Sequence, residues 1–275
     1  MTRIAVAQMQ SGTGAAANAA ELVRLAEQAA QGGAQMLFTP EMTGLLDRDR
    51  KRAAASIVAE SEDPTLAAAR DAAARHGIAI SIGSLALRSD DGKAWVNRSV
   101  LIDSAGDIAA RYDKMHMFDV DLDSGESWRE SNAYKAGASP TVVDTPAGRL
   151  GLTICYDIRF PALFEALGRA RCDLISIPAA FTVPTGMAHW HVLQRARAIE
   201  ASAFVVAAAQ VGRHEDGRET YGHSLVVDPW GEVLLDMGGE KPGLGFARID
   251  LERIAQVRAQ VPSLANRRDI PKSDG

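Results

Sequence analysis

Three segments of the chain place a reactive side chain just where an apolar run ends. They are Leu37-Phe38-Thr39-Pro40-Glu41-Met42, Arg111-Tyr112-Asp113-Lys114-Met115-His116 and Gly151-Leu152-Thr153-Ile154-Cys155-Tyr156-Asp157-Ile158-Arg159-Phe160-Pro161. A thiol can attack a carbonyl carbon, a carboxylate can take its proton, and an ammonium can hold the oxyanion that forms. Each segment alone has a plainer explanation. A cysteine after a strand is usually packed, and a Glu or Lys at a strand end is usually solvated. Strand ends in α/β folds open onto a common crevice, so side chains far apart in sequence can meet there.

The elements that would carry them alternate from the first residue. Ile4 to Met9 reads as a buried strand, and Asn18 to Ala30 as a helix with Leu22, Leu25, Ala26 and Ala29 at helical spacing. Met36 to Thr39 is a short strand stopped by Pro40. A helix starts at Asp63-Pro64 and ends at Gly77. Strands follow at Ile78 to Leu87, Val96 to Asp103 and Ile108 to Tyr112. After a polar loop from Asp119 to Gly137 come strand Leu150 to Ile154, helix Pro161 to Arg171 and strand Leu174 to Ile177. Helix Met187 to Ala201, strand Phe204 to Ala209 and a hairpin-like end from Leu225 to Ile249 complete the pattern. Both halves share a strand–helix–strand–helix–strand rhythm, and no linker or low-complexity tract divides them. The expectation is one α/β domain with two sheets and outer helices.

With 275 residues, 47% of them hydrophobic, the chain can bury a large core without disulfide or metal staples. A net charge of −5 argues against nucleic acid as partner. No membrane-length apolar run or signal peptide is read, and two cysteines suit a reducing, cytoplasmic setting. Gly12-Thr13-Gly14 between a strand and a helix superficially fits a dinucleotide turn, but the motif is short and a plain turn is favoured. His189 and His191, two apart on a helix, point to different sides, and no second Cys/His cluster in the sequence completes a metal shell. The run Arg48-Asp49-Arg50-Lys51-Arg52 and the pair Arg267-Arg268 read as solvated faces.

Taken together, the three segments resemble the carbon–nitrogen hydrolase (nitrilase) superfamily, whose members carry a Glu–Lys–Cys triad in this order. Glu41 after Phe-x-Pro, the block Lys114 to Val120 and Cys155-Tyr156-Asp157-x-Arg159-Phe160-Pro161 carry the likeness. Ala188-His189-Trp190 with Leu193 to Glu200, and Tyr221-Gly222-His223-Ser224 with Val226 to Gly231, are similar to the Nit-type amidase branch. Val205 to Gln210 followed by Gly212-Arg213-His214 resembles its deaminated glutathione amidases. The resemblance implies a four-layer α-β-β-α sandwich over residues 1–275, two mixed sheets with outer helices, and a homodimer or larger assembly.

It also implies a reaction without cofactor or metal. Cys155 attacks an amide to give a thioester. Glu41 takes the thiol proton, passes it to the departing nitrogen and later activates water. Lys114 and the backbone N–H of Tyr156 hold the oxyanion. A second family glutamate matches Glu130, or less well Glu126, and would hold Lys114. The implied substrate is deaminated glutathione, an α-keto acid amide cleaved to a 2-oxo acid and cysteinylglycine. Arg159 would take the keto-acid carboxylate, with Phe181 and Thr182 as pocket wall. His214 and Arg213 are looser candidates for the glycyl carboxylate, and Cys172 reads as a packed thiol. Two alternatives stay open: ω-amidase action on α-ketoglutaramate, and a catalytically silent scaffold of the same fold.

Overall fold

The computed structural model describes residues 1–121, 123, 125 and 127–268. The chain opens with β1 (Thr2–Gln8), α1 (Ala15–Gln31) and β2 (Met36–Phe38). A single turn, α2 (Arg50–Ala53), is capped by the Asp49 carboxylate. The longer helix α3 (Pro64–His76) begins where Asp63 accepts the Leu66 N–H and ends at Gly77 in the left-handed conformation. A meander follows: β3 (Ala79–Arg88), β4 (Trp95–Ile102) and β5 (Ile108–Asp113). Helical crossovers make β1, β2 and β3 parallel, whereas β4 and β5 return as antiparallel neighbours.

The second half repeats this rhythm after a small hairpin of β6 (Asp119–Asp121) and β7 (Ser127–Arg129). It runs β8 (Thr141–Thr145), β9 (Gly148–Leu152), α4 (Pro161–Arg169), β10 (Leu174–Ser176), α5 (Val183–Ala201) and β11 (Phe204–Ala207). A short hairpin, β12 (Val211–Arg213) and β13 (Glu219–Tyr221), precedes β14 (Leu225–Val227), β15 (Val233–Asp236), β16 (Gly243–Ile249) and α6 (Leu251–Gln260). Two six-stranded mixed sheets result, ordered β16-β1-β2-β3-β4-β5 and β15-β14-β11-β10-β9-β8.

Period-two alternation sorts the side chains into layers. On β1 and β2, Ile4, Val6, Met36 and Phe38 share a core with Leu150, Leu152, Leu174 and Val206 of the second sheet. Their neighbours Ala5, Ala7 and Leu37 pack instead against Leu22 and Leu25 of α1 and Leu66 and Ala69 of α3. On the far side, Leu163, Phe164 and Leu167 of α4 and Trp190 and Ala198 of α5 cover the second sheet. The order is helix, sheet, sheet, helix.

Three expectations need correction. Helix α5 starts at Val183 rather than Met187, because Pro184 fits a first helical turn and fixes φ there. The stretch 119–137, expected to be a loop, contains the β6–β7 hairpin and a 3-10 turn, Glu130–Asn132. Helix α6 was not expected; Asp250 caps it by accepting the Glu252 N–H, and only Ile254 and Val257 are buried. No described helix is long and apolar enough to cross a membrane.

Candidate active site

Strand β9 ends at Leu152, and the chain tightens into a 3-10 turn over Cys155–Arg159. Cys155 takes a left-handed backbone (φ 46°), and its N–H donates to the Pro178 carbonyl at 2.8 Å. A non-glycine residue held there signals a backbone fixed by its surroundings. Asp157, fully buried, does the fixing. Its Oδ2 accepts from the Ile154 N–H (2.9 Å) and the Tyr112 hydroxyl (2.7 Å). Its Oδ1 accepts from the His116 N–H (3.1 Å) and lies 2.7 Å from His116 Nδ1. The cysteine turn of one sheet is thereby tied to the end of β5 in the other. Burial and the Asp157 charge hold the Tyr112 proton far above the usual phenol range.

Glu41 reaches the same place from the end of β2. Its loop lies tight against β3 at Gly83, where an added Cβ would stand 2.2 Å from the Thr39 carbonyl and 2.4 Å from that of Pro40. The β3–β4 register shifts between Ile82 and Leu85, which accommodates the loop. Gln210, just past the end of β11, steadies it by donating to the Glu41 carbonyl (3.0 Å). Glu41 Oε1 accepts from Lys114 Nζ (2.9 Å) and Asn97 Nδ2 (3.0 Å), and Oε2 from the Ala180 N–H (3.0 Å).

Lys114, just past β5, also donates to both oxygens of Glu130, at 3.1 and 2.9 Å. Glu130 is held in turn by the Phe118 N–H (2.7 Å) and Asn97 Nδ2 (3.1 Å). The structure therefore brings Glu41, Lys114, Cys155 and Glu130 together. Glu126 lies outside the described residues. Asn97 joins the cluster from mid-strand β4 and was missed by the sequence reading. Its amide nitrogen bridges the two carboxyl groups, while Oδ1 has no partner among the described residues.

Burial would raise the Glu41 pKa, but the Lys114 ammonium, the nearby Cys155 thiol and the hydrogen bonds from Lys114 and Asn97 outweigh it and leave it lowered. Burial would lower that of Lys114, yet Glu130, Glu41 and Cys155 hold it well above the ordinary range. The Cys155 thiol is pushed up by burial and by the charge of neighbouring Glu41. The resting set is a carboxylate, an ammonium and a thiol. That is a base already facing an unspent proton on a nucleophile.

The cluster lies in a cavity of about 790 Å³ that Tyr156, Arg159, Phe181 and Thr182 also line. The Tyr156 N–H has no acceptor among the described residues. Arg159 meets no carboxylate among the described residues; its guanidinium lies 3.3 Å from His189 Nδ1 and over the Phe181 ring. Phe181 packs on Trp190, and Thr182 stands at the N-terminus of α5 with its hydroxyl 2.8 Å from that of Thr185. The expected distal residues are not available. His214 is buried with Nδ1 on the Ser11 carbonyl and Nε2 on the Thr220 hydroxyl, and Arg213 does not line the cavity. Arg48, Arg50 and Arg218 line it instead, so the basic run at Arg48 is not simply a solvated face.

Other motifs resolve readily. The Thr13 N–H and hydroxyl both donate to Glu215 (2.8 Å), and the Gly12 N–H to Asn18 (2.9 Å). A phosphate there would meet a carboxylate and spent donors. Cys172 is buried beside Gly151 and Leu167, and burial pushes its thiol up to about 12. His189 and His191 do part company: His189 meets Arg159, and His191 lies beside His223 and Asp236.

The family model for carbon-nitrogen hydrolases matches residues 3–259. The chain belongs to the carbon-nitrogen hydrolase family. It is 40% identical over 272 residues to a deaminated glutathione amidase of Yersinia enterocolitica, covering 97% of this chain and 93% of the relative. The crystal structure of the Caenorhabditis elegans NitFhit protein superposes with a TM-score of 0.88 at 38% identity, over 97% of this chain and 65% of that one. An amidase from Nesterenkonia sp. AN1 superposes with a TM-score of 0.79 at 26% identity, over 95% of this chain and 98% of that one. A mutant of that amidase carries the product of acrylamide addition at its active-site cysteine. This hydrolase acts on carbon–nitrogen bonds other than peptide bonds, within the four-layer nitrilase-like fold.

Proposed function

We propose that the chain hydrolyses deaminated glutathione through a thioester on Cys155. The observation that supports the reading is the buried cluster itself, with Lys114 Nζ 2.9 Å from Glu41 Oε1 and Cys155 lining the same cavity. As Sγ bonds to the amide carbon, its proton moves to Glu41. The carbonyl oxygen becomes an oxyanion received by the Lys114 ammonium and the free Tyr156 N–H. Collapse breaks the carbon–nitrogen bond, and Glu41 returns the proton to the amine of cysteinylglycine. Water then attacks the thioester, giving its proton to Glu41 and releasing the 2-oxo acid and the thiol. Glu130 and Asn97 act as positioning residues, Glu130 by accepting from Lys114 and Asn97 by donating to both Glu41 and Glu130.

The substrate carries a carboxylate at each end. Arg159, without an acidic partner among the described residues, suits the keto-acid end beside Phe181 and Thr182. Arg48 and Arg218 replace His214 and Arg213 as the groups for the glycyl end. Arg48 forms no side-chain ion pair among the described residues, while Arg218 is partly spent on Asp216 (2.7 Å) and stacks over Trp128. Side-by-side kinetics on deaminated glutathione and α-ketoglutaramate, with Cys155→Ala as blank, test the reading. A decisive preference for the smaller amide would make the chain an ω-amidase, and no turnover of either would leave a silent scaffold. The homodimer or larger assembly belongs to the same proposal: Met187 (73% exposed) and Val192 (68%) on α5 lie bare to solvent in one chain.

A further inference from the structure

Away from the cavity, His191 on α5, His223 before β14 and Asp236 at the end of β15 converge, with one donor atom from each within 4.8 Å of the others. His191 Nε2 lies 3.0 Å from Asp236 Oδ2, and His223 Nδ1 lies 2.9 Å from Asp236 Oδ1. The two imidazoles stand edge to face at 5.1 Å, and Tyr221 stacks on His223. The three side chains are between about a quarter and a third exposed, which leaves room for water beside them. None of the three lines the cavity.

We propose that these residues form a binding site for a first-row divalent cation, with Zn²⁺ as the fitting ion. Two imidazole nitrogens and one carboxylate oxygen are a borderline donor set, and three protein ligands leave a fourth position for water. A tetrahedral ion with bonds of about 2.0–2.1 Å needs donors about 3.3 Å apart, and small rotations of these partly exposed side chains supply that. Each imidazole would carry its proton on the nitrogen facing away from the ion. Three elements separate in sequence would be joined. The His223 carbonyl accepts from Trp190 Nε1 at 2.8 Å, and the Trp190 ring packs 4.8 Å from Phe181 of the cavity wall. The ion would thus brace the wall without touching the reacting atoms.

The test uses the full-length protein in a Cys155→Ala background, so that the active-site thiol does not compete, after removal of metal with a chelator. Calorimetric titration with Zn²⁺ is expected to show one ion per chain, with a rise in Tm, and Co²⁺ should give a visible absorption band. His191→Ala and Asp236→Asn, each added separately, should weaken Zn²⁺ binding at least about tenfold and remove the Tm rise. No uptake by the parent, or uptake that both substitutions leave unchanged, would overturn the proposal.

Discussion

Glu41 accepts from Lys114, Asn97 and the Ala180 N–H, and these donors keep its carboxyl ionised where water does not screen it. Because the Glu41 pKa is lowered, the base is lost only as pH falls through a value below the usual carboxylate range of about 4.3. Because the Cys155 pKa is raised, the thiol keeps its proton past about 8.5. The profile of kcat/KM against pH should therefore be flat across neutrality, and an inflection near pH 6–7 would contradict this pairing. Glu41→Gln should lower kcat by about 10²–10⁴-fold in steady-state assays while thermal melting stays cooperative. Asn97→Leu strips one donor from each carboxyl group, costing about 1–3 kcal/mol of stability, measurable by urea unfolding. Glu41, Lys114 and Cys155 were legible because each closes an apolar run. Asn97 was not, since a polar residue inside Trp95-Val96-Asn97-Arg98 reads as the outward side of a strand.

At the scale of elements, β2, β5, β9 and β10 deliver their following residues to one point, and the fit depends on how closely the Glu41 loop approaches β3. Gly83→Ala should push that loop away from Cys155. We expect about 1–3 kcal/mol of destabilisation in denaturant melts and a fall in kcat. Normal kcat in this variant would mean that the close contact does not set the position of Glu41. The parallel strands and α1, α3 and α4 could be read from periodicity and from punctuation such as Asp63-Pro64 and Gly77. Helix α6 escaped because its buried stripe is only Ile254 and Val257. The β12–β13 hairpin escaped because its strands are three residues long and gain their order from tertiary contacts such as Tyr221 N–H to the Phe181 carbonyl (2.9 Å).

For the whole molecule, two similar sheets pack with their reactive ends aligned, a relation that local patterns suggest through the repeated rhythm but do not fix. What fixes it is a small set of ties between halves, including Asp157 to Tyr112 and Gln210 to Glu41. The apolar side chains left bare on α5 belong to this scale too. If the proposed assembly uses this face, Met187→Glu with Val192→Glu should convert it to smaller species in analytical ultracentrifugation, and an unchanged sedimentation coefficient would exclude the face from such an interface. The reaction itself can be caught directly. Rapid acid quench of the enzyme turning over deaminated glutathione, followed by peptide mass spectrometry, should find the 2-oxo acyl group as a thioester on Cys155 and nowhere on a Cys155→Ala chain. Turnover that proceeds with no acylated Cys155, or that persists in the alanine variant, would contradict the account.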